Sequence, residues 1–130
     1  MQPLSTEENP KQFLPLTNNK SLLQNSVERI LHIDPKPENI AISTTLAYQD
    51  KSLQQLQEYG VDTIISEPER RNTGPAIAYT IKYLEEKKNA KPEDLILICP
   101  SDHHITPIEK FAEHIQQGIK YAQEGKVVLF

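Results

Sequence analysis

The chain has 130 residues, 37% of them hydrophobic and 25% charged, with a formal net charge of −4. That size suits one domain with a real core, able to bury about two thirds of its unfolded surface. No apolar run nears the ~20 residues of a membrane span, the lone Cys99 rules out an intrachain disulfide or a cysteine-rich metal site, and the negative charge gives no general attraction to nucleic acid or to anionic membranes. No basic segment followed by an apolar stretch opens the chain, so no signal peptide is read and the cytoplasm is the expected location.

Short apolar runs alternate with helical patterns, the signature of an α/β fold. Residues 1–19 carry Pro3, Pro10 and Pro15 and read as an extended loop. A helix is expected from Ser21, which has capping-box spacing to Gln24, with Leu23, Val27, Ile30 and Leu31 along one face. Residues 39–45 read as a strand rich in β-branched side chains. A short helix follows over 50–59, with Leu53 and Leu56 inward and Gly60 as its C-cap. The next strand is expected over 61–66.

A third helix is expected from Thr73 or Gly74, with Pro75 in the first turn, where its missing N–H costs nothing. Ile77, Ile81 and Leu84 form its apolar stripe. Residues 94–99 give the clearest strand, since Leu95, Ile96, Leu97 and Ile98 make a continuous apolar run of the kind covered on both faces in a parallel sheet. Thr106, Pro107 and Glu109 announce a last helix by a cap, a first-turn proline and a capping-box glutamate, with Ile108, Phe111, Ile115 and Ile119 on one side. Residues 126–130 read as a closing strand. Right-handed crossovers through these elements give a parallel sheet with helices on both faces.

Ligands of such sheets bind at the carboxyl ends of the strands. Two polar segments fall there. The first runs from Glu67 to Pro75 through Arg70, Arg71, Asn72 and Thr73. Free N–H groups at a helix start, with Asn72 and Thr73, can bind an anion or a base edge, and Glu67 could accept from a guanine-like N–H and NH₂ pair. The plain alternative is a solvated loop with Thr73 as an ordinary cap. The second is Pro100-Ser101-Asp102-His103-His104. A carboxylate at a strand tip can hold Mg²⁺ against phosphate oxygens, or Asp102 and Ser101 simply stabilise a turn. The two adjacent histidines lack a third ligand at zinc spacing. Lys11, between Pro10 and Pro15, could contact phosphate as a compact point charge, although most lysines are only solvated.

Together these segments resemble the mannose-1-phosphate guanylyltransferase family. PKQFLPL followed by KSLLQ is similar to the stretch after that family's glycine-rich loop. EPERRNTGPAIA is similar to its guanine-binding stretch, EPxGRNTAPAIA, and LILICPSDHHI to its metal-binding strand end. The resemblance covers nearly the whole chain, with the motifs in order. It implies a Rossmann-like three-layer α/β/α sandwich of the nucleotide-diphospho-sugar transferase type. It also implies a reaction in which mannose 1-phosphate attacks the α-phosphorus of GTP to give GDP-mannose and pyrophosphate, with Mg²⁺ on the phosphates. By resemblance, Lys11 contacts phosphate, Glu67, Arg71, Asn72 and Thr73 lie around guanine and ribose, and Asp102 holds Mg²⁺ with Pro100 and Ser101 shaping the turn. All three segments are then expected on one rim of the sheet.

The sequence also departs from the family pattern. Met1 to Ser5 match only the last five positions of GGxGTRLWPLS, with Gln2 in place of tryptophan, and Arg70 and Gly74 replace the usual glycine and alanine. The expectation is therefore a partial nucleotidyltransferase domain over 1–130, truncated at both ends, without the first strand, the glycine-rich loop or the sugar-binding half. Such a chain is expected to transfer little by itself. Unpaired strand edges would favour self-association or docking on a complementing chain, so an interaction module is the alternative from another class. Within the enzyme class, the alternative is a transferase for another nucleotide or sugar.

Overall fold

The structure is a computed structural model, which describes residues 5–15, 18–67, 69 and 73–130. The chain divides into two compact units, one made of Met1–Pro35 with Glu93–Phe130 and the other of Lys36–Pro92.

In the first unit a 3-10 turn, Lys11–Phe13, leads to helix α1, Leu22–Ile33. An isolated antiparallel bridge joins Pro15 to Ser21. Ser21 then caps the helix as its spacing predicts. Its hydroxyl accepts from the Gln24 N–H at 3.1 Å, and the Gln24 side chain accepts from the Ser21 N–H at 2.9 Å. The buried face differs from the expected one. Leu22, Leu23, Ser26, Val27 and Arg29 are buried, whereas Ile30 and Leu31 are only partly so. Positions 22, 26 and 29 stand one and two turns apart, so the inward stripe is rotated onto a row that includes two polar residues.

Helix α4, Ile108–Gln123 in the same unit, packs on α1 and buries Ile115 and Gly118. Phe13, Leu22, Leu23, Val27 and Ile115 form the apolar core, each 5% exposed or less. The start of α4 corrects the sequence reading. Pro107 itself is the N-cap, in extended conformation, and no side chain accepts there. Thr106 stands one residue too early to reach the free N–H groups, so the Thr106–Glu109 capping box does not form.

Neither expected strand of this unit is present. Residues 94–99 and 126–130 carry no strand ladder among the described residues. Leu95, Ile96, Leu97 and Ile98 are 39–52% exposed, and Val127 and Leu129 about 90%. A ladder is a property of two segments, and no second strand runs beside either of these among the described residues. The last residue instead turns back on α4, where a Cβ at Gly118 would come within 2.5 Å of the Phe130 ring.

The second unit holds the sheet. Strand β1, Ala41–Thr45, pairs in parallel with β2, Thr63–Glu67, in a register that sets Ser43 opposite Ile65 and Thr45 opposite Glu67. Helix α2, Gln49–Leu56, makes the crossover and runs on through a 3-10 turn to Gly60. Gly60 has φ +74°, the left-handed conformation that glycine adopts without a Cβ penalty. Alternate residues of β2 turn inward, with Thr63 6% and Ile65 1% exposed. They meet Ile40, Leu56 and Val61, of which Leu56 is fully buried. The buried Ser52 hydroxyl is satisfied by the Tyr48 carbonyl at 2.8 Å. Helix α3, Thr73–Lys87, follows β2 and packs against it.

No helix among the described residues is long and apolar enough to cross a membrane.

Candidate functional site

The residues singled out from sequence fall in both units. In the first, Lys11 opens the 3-10 turn behind Pro10 and is exposed, while Phe13, two residues on, is buried and fixes the turn against α1. The Lys11 ammonium has no ion-pair partner among the described residues. A fixed backbone with a free cationic head is what a phosphate contact requires.

The other candidates of this unit are Pro100, Ser101 and Asp102. Pro100 is exposed, Ser101 is partly buried, and the Asp102 side chain is 52% exposed. Ser101 and Asp102 form a turn directly after the apolar run. His103 Nε2 lies 3.7 Å from Asp102 Oδ1, too far for a hydrogen bond. No group of three or more His, Cys, Asp and Glu side chains gathers among the described residues. That donor set does not make an all-protein metal cage. It does fit Mg²⁺, which commonly takes one or two carboxylates and completes its shell with water and substrate phosphates. A hard, half-exposed carboxylate on a turn, with one face open, suits that mode.

In the second unit Glu67 ends β2 and is partly buried, and its Oε1 accepts from the Ser43 hydroxyl at 3.2 Å. The register brings the two together across neighbouring strands. Among the described residues Oε2 has no partner, which leaves one oxygen of Glu67 for a ligand N–H while it shares the other. Thr73 is exposed and is the first residue of α3, inside the helix rather than ahead of it. Asn72 and Arg71 lie outside the described residues.

Sequence reasoning missed three residues that shape these positions. Ser43 orients Glu67. Ser26 and Arg29 of α1 reach the turn that carries Asp102. The Arg29 guanidinium donates from one terminal nitrogen to the His103 carbonyl at 3.4 Å and from the other to Ser26 Oγ at 3.3 Å. It also lies over the Phe111 ring of α4, 5.2 Å from the centroid. Ser26 Oγ is 2.8 Å from the Leu22 carbonyl and 3.4 Å from that of Ser101. Burial lowers the Arg29 pKa, with the nearby Cys99 opposing, and burial pushes the Cys99 thiol up against the pull of the Arg29 charge. The signal for this cluster was present in the sequence, since Ser26 and Arg29 follow Leu22 at four and seven residues on one helix face.

Parallel strands joined through a helix place the chain in the α/β class. Residues 1–130 match the family of nucleotidyl transferases along their whole length. The chain belongs to the nucleotidyl transferase family. It is 33% identical to a mannose-1-phosphate guanylyltransferase of Escherichia coli and 38% identical to one of Salmonella montevideo. These alignments cover 98% of this chain and 27% and 26% of those proteins. The crystal structure of a mannose-1-phosphate geranyltransferase from Thermus thermophilus superimposes with a TM-score of 0.77 at 28% identity, over 96% of this chain and 35% of that one. The resemblance drawn from the three motifs is thus borne out. The chain spans about a quarter of the length of the curated relatives it matches.

Proposed function

We propose that the chain serves the nucleotide-binding side of a mannose-1-phosphate guanylyltransferase, receiving GTP with Mg²⁺ for the formation of GDP-mannose and pyrophosphate from mannose 1-phosphate. The single observation that carries this reading is the Asp102 carboxylate, half exposed on a turn that follows the apolar run, within the PSDH pattern. In the proposal, Asp102 supplies the protein ligand to Mg²⁺, and the metal neutralises phosphate charge as substrate binds. Lys11 contacts phosphate. Glu67, its Oε1 shared with Ser43, offers Oε2 to the base, and Arg71, Asn72 and Thr73 line the base and ribose. Pro100 and Ser101 shape the Asp102 turn. The reading places the chain in the cytoplasm, with soluble GTP and sugar phosphate as its substrates.

Calorimetry with the purified chain tests it. Mg²⁺–GTP should bind more tightly than the ATP, UTP and dTTP complexes. Asp102→Asn should weaken Mg²⁺–GTP binding at least about tenfold, or ~1.4 kcal/mol, and Lys11→Ala by a smaller factor. Equal affinity for all four nucleotides would remove the guanine reading and favour a transferase for another nucleotide-sugar. An unchanged Asp102→Asn variant would remove the metal reading.

A second reading, self-association, is favoured by the exposed run Leu95–Ile98 and by Val127 and Leu129. Sedimentation showing a strict monomer across micromolar concentrations would dismiss it.

A further inference from the structure

Arg29 is a costly residue to place where it stands. It is 2% exposed, although arginine is rarely buried unless paired. Among the described residues no carboxylate pairs with it, and its Nε is buried without a partner. A buried guanidinium of this kind does not serve stability better than an aliphatic side chain of similar size, because desolvation outweighs what neutral dipoles return. What an aliphatic residue would not do is donate. The donors of Arg29 run to Ser26 on its own helix and to the carbonyl of His103 in the turn, while its guanidinium carbon lies over the Phe111 ring of α4, 5.2 Å from the centroid.

The two contacts with the turn flank a single residue. Ser26 Oγ lies 3.4 Å from the Ser101 carbonyl, its one proton being given to the Leu22 carbonyl at 2.8 Å, and Arg29 donates to the carbonyl of His103. Ser26 and Arg29 are three residues apart on one face of α1. No backbone–backbone hydrogen bond involves residues 100–105 among the described residues. Arg29 is therefore the side-chain tie on this turn, beyond Asp102; Ser26, whose single hydroxyl proton goes to the Leu22 carbonyl at 2.8 Å, only abuts the Ser101 carbonyl before it, and the Asp102 side chain is left half exposed.

We propose that Arg29 is a positioning residue, which, oriented by Ser26 as the acceptor of its second terminal nitrogen, holds the backbone of the turn beside Asp102 through the His103 carbonyl and so sets where the carboxylate stands. The structural half of the proposal rests on this geometry. Its functional half rests on the metal reading of Asp102 given above. Arginine is required because one planar fork reaches the turn and Ser26 at once, which a lysine ammonium does not reproduce.

The test uses Arg29→Gln, Arg29→Lys and Ser26→Ala in the full chain. Backbone ¹⁵N order parameters are read for Ser101 to His104, and Mn²⁺ affinity in the presence of GTP is read by electron paramagnetic resonance. In Arg29→Gln the order parameters of 101–104 should fall from about 0.85 toward 0.6 or below, while those of α1 and of β1–β2 stay as in the wild type. Mn²⁺ should bind at least about fivefold more weakly. Arg29→Lys should lie near Arg29→Gln, and Ser26→Ala between these and the wild type. Unchanged order parameters at 101–104 in a folded Arg29→Gln chain would overturn the proposal. If Arg29→Gln does not fold, Arg29→Lys and Ser26→Ala decide it by the same criterion. Asp102→Asn separates the two readings. Should it retain full Mn²⁺ affinity, the metal reading fails, whereas the order parameters still judge the hold of Arg29 on the turn.

Discussion

Strand β2 and the run at 95–98 differ less in composition than in company. β2 contains threonine, serine and glutamate beside its two isoleucines, yet it pairs along its whole length with β1 and buries Ile65 to 1% exposure. The run Leu95–Ile98 is entirely aliphatic, yet it has no ladder among the described residues and leaves all four side chains 39–52% exposed. Apolar content alone does not make a strand. Pairing satisfies the backbone N–H and C=O groups, and only then can the side chains be buried at no polar cost. The β1–α2–β2 unit carries its partner within 27 residues, from Ala41 to Glu67, and closes on itself. The aliphatic run has no such partner among the described residues.

The largest expected effect follows from that closure. Leu56 is fully buried beneath the two strands, so Leu56→Ala should cost about 2–5 kcal/mol of unfolding free energy in urea titrations, from lost transfer energy and the cavity left behind. A cost near zero would mean that the β1–α2–β2 core is not packed as described, and the contrast with 95–98 would collapse.

The next effect compares the two helix starts of the first unit. Ser21→Ala removes a working capping box and should destabilise by about 1 kcal/mol. Thr106→Ala, at a start where no side chain caps, should stay within about 0.5 kcal/mol. Equal losses at both would show that Thr106 caps α4 after all.

These starts also show what the sequence could reveal. The α1 cap, the Gly60 turn and the onset of α3 at Thr73 were legible because each is decided within a few residues. The segments at 94–99 and 126–130 were misread because a strand depends on a neighbour that lies elsewhere in the chain, and apolar content says nothing about that neighbour. The same division holds for the candidate site. Asp102, Lys11, Glu67 and Thr73 stood out through compact motifs. Arg29 and Ser26 did not, because on a helix they look like ordinary polar positions until the buried stripe is seen to pass through Leu22, Ser26 and Arg29. The Ser43–Glu67 bond was hidden for another reason, since it needs the register of two strands.

A smaller effect tests the exposed run directly. Ile98 is 52% exposed, so Ile98→Thr should cost under about 1 kcal/mol, well below Leu56→Ala. It should also weaken self-association in sedimentation, because it replaces one apolar side chain in a segment with unpaired backbone. A loss as large as that at Leu56 would mean the run is buried in solution, which would bring it into line with β2.

The smallest effect is a pH dependence at the end of the same run. Burial raises the Cys99 thiol above its ordinary value, with the Arg29 charge opposing. A raised folded pKa means that the native state holds the proton more tightly than the unfolded chain. The corresponding stability is fully present below the unfolded thiol value of about 8.5 and is lost as pH rises from there through the folded value. The free energy of unfolding should therefore decline above about pH 8.5, by no more than ~1.4 kcal/mol per pH unit for this one proton. Cys99→Ala should remove that share of the decline. Lysine and tyrosine titrate in the same range, so the informative quantity is the difference between wild type and variant, followed by denaturant unfolding from about pH 7 to about pH 10. A decline of identical steepness in both would show that Cys99 is as well solvated in the folded chain as in the unfolded one, and that the run loses its cover at its last residue as well.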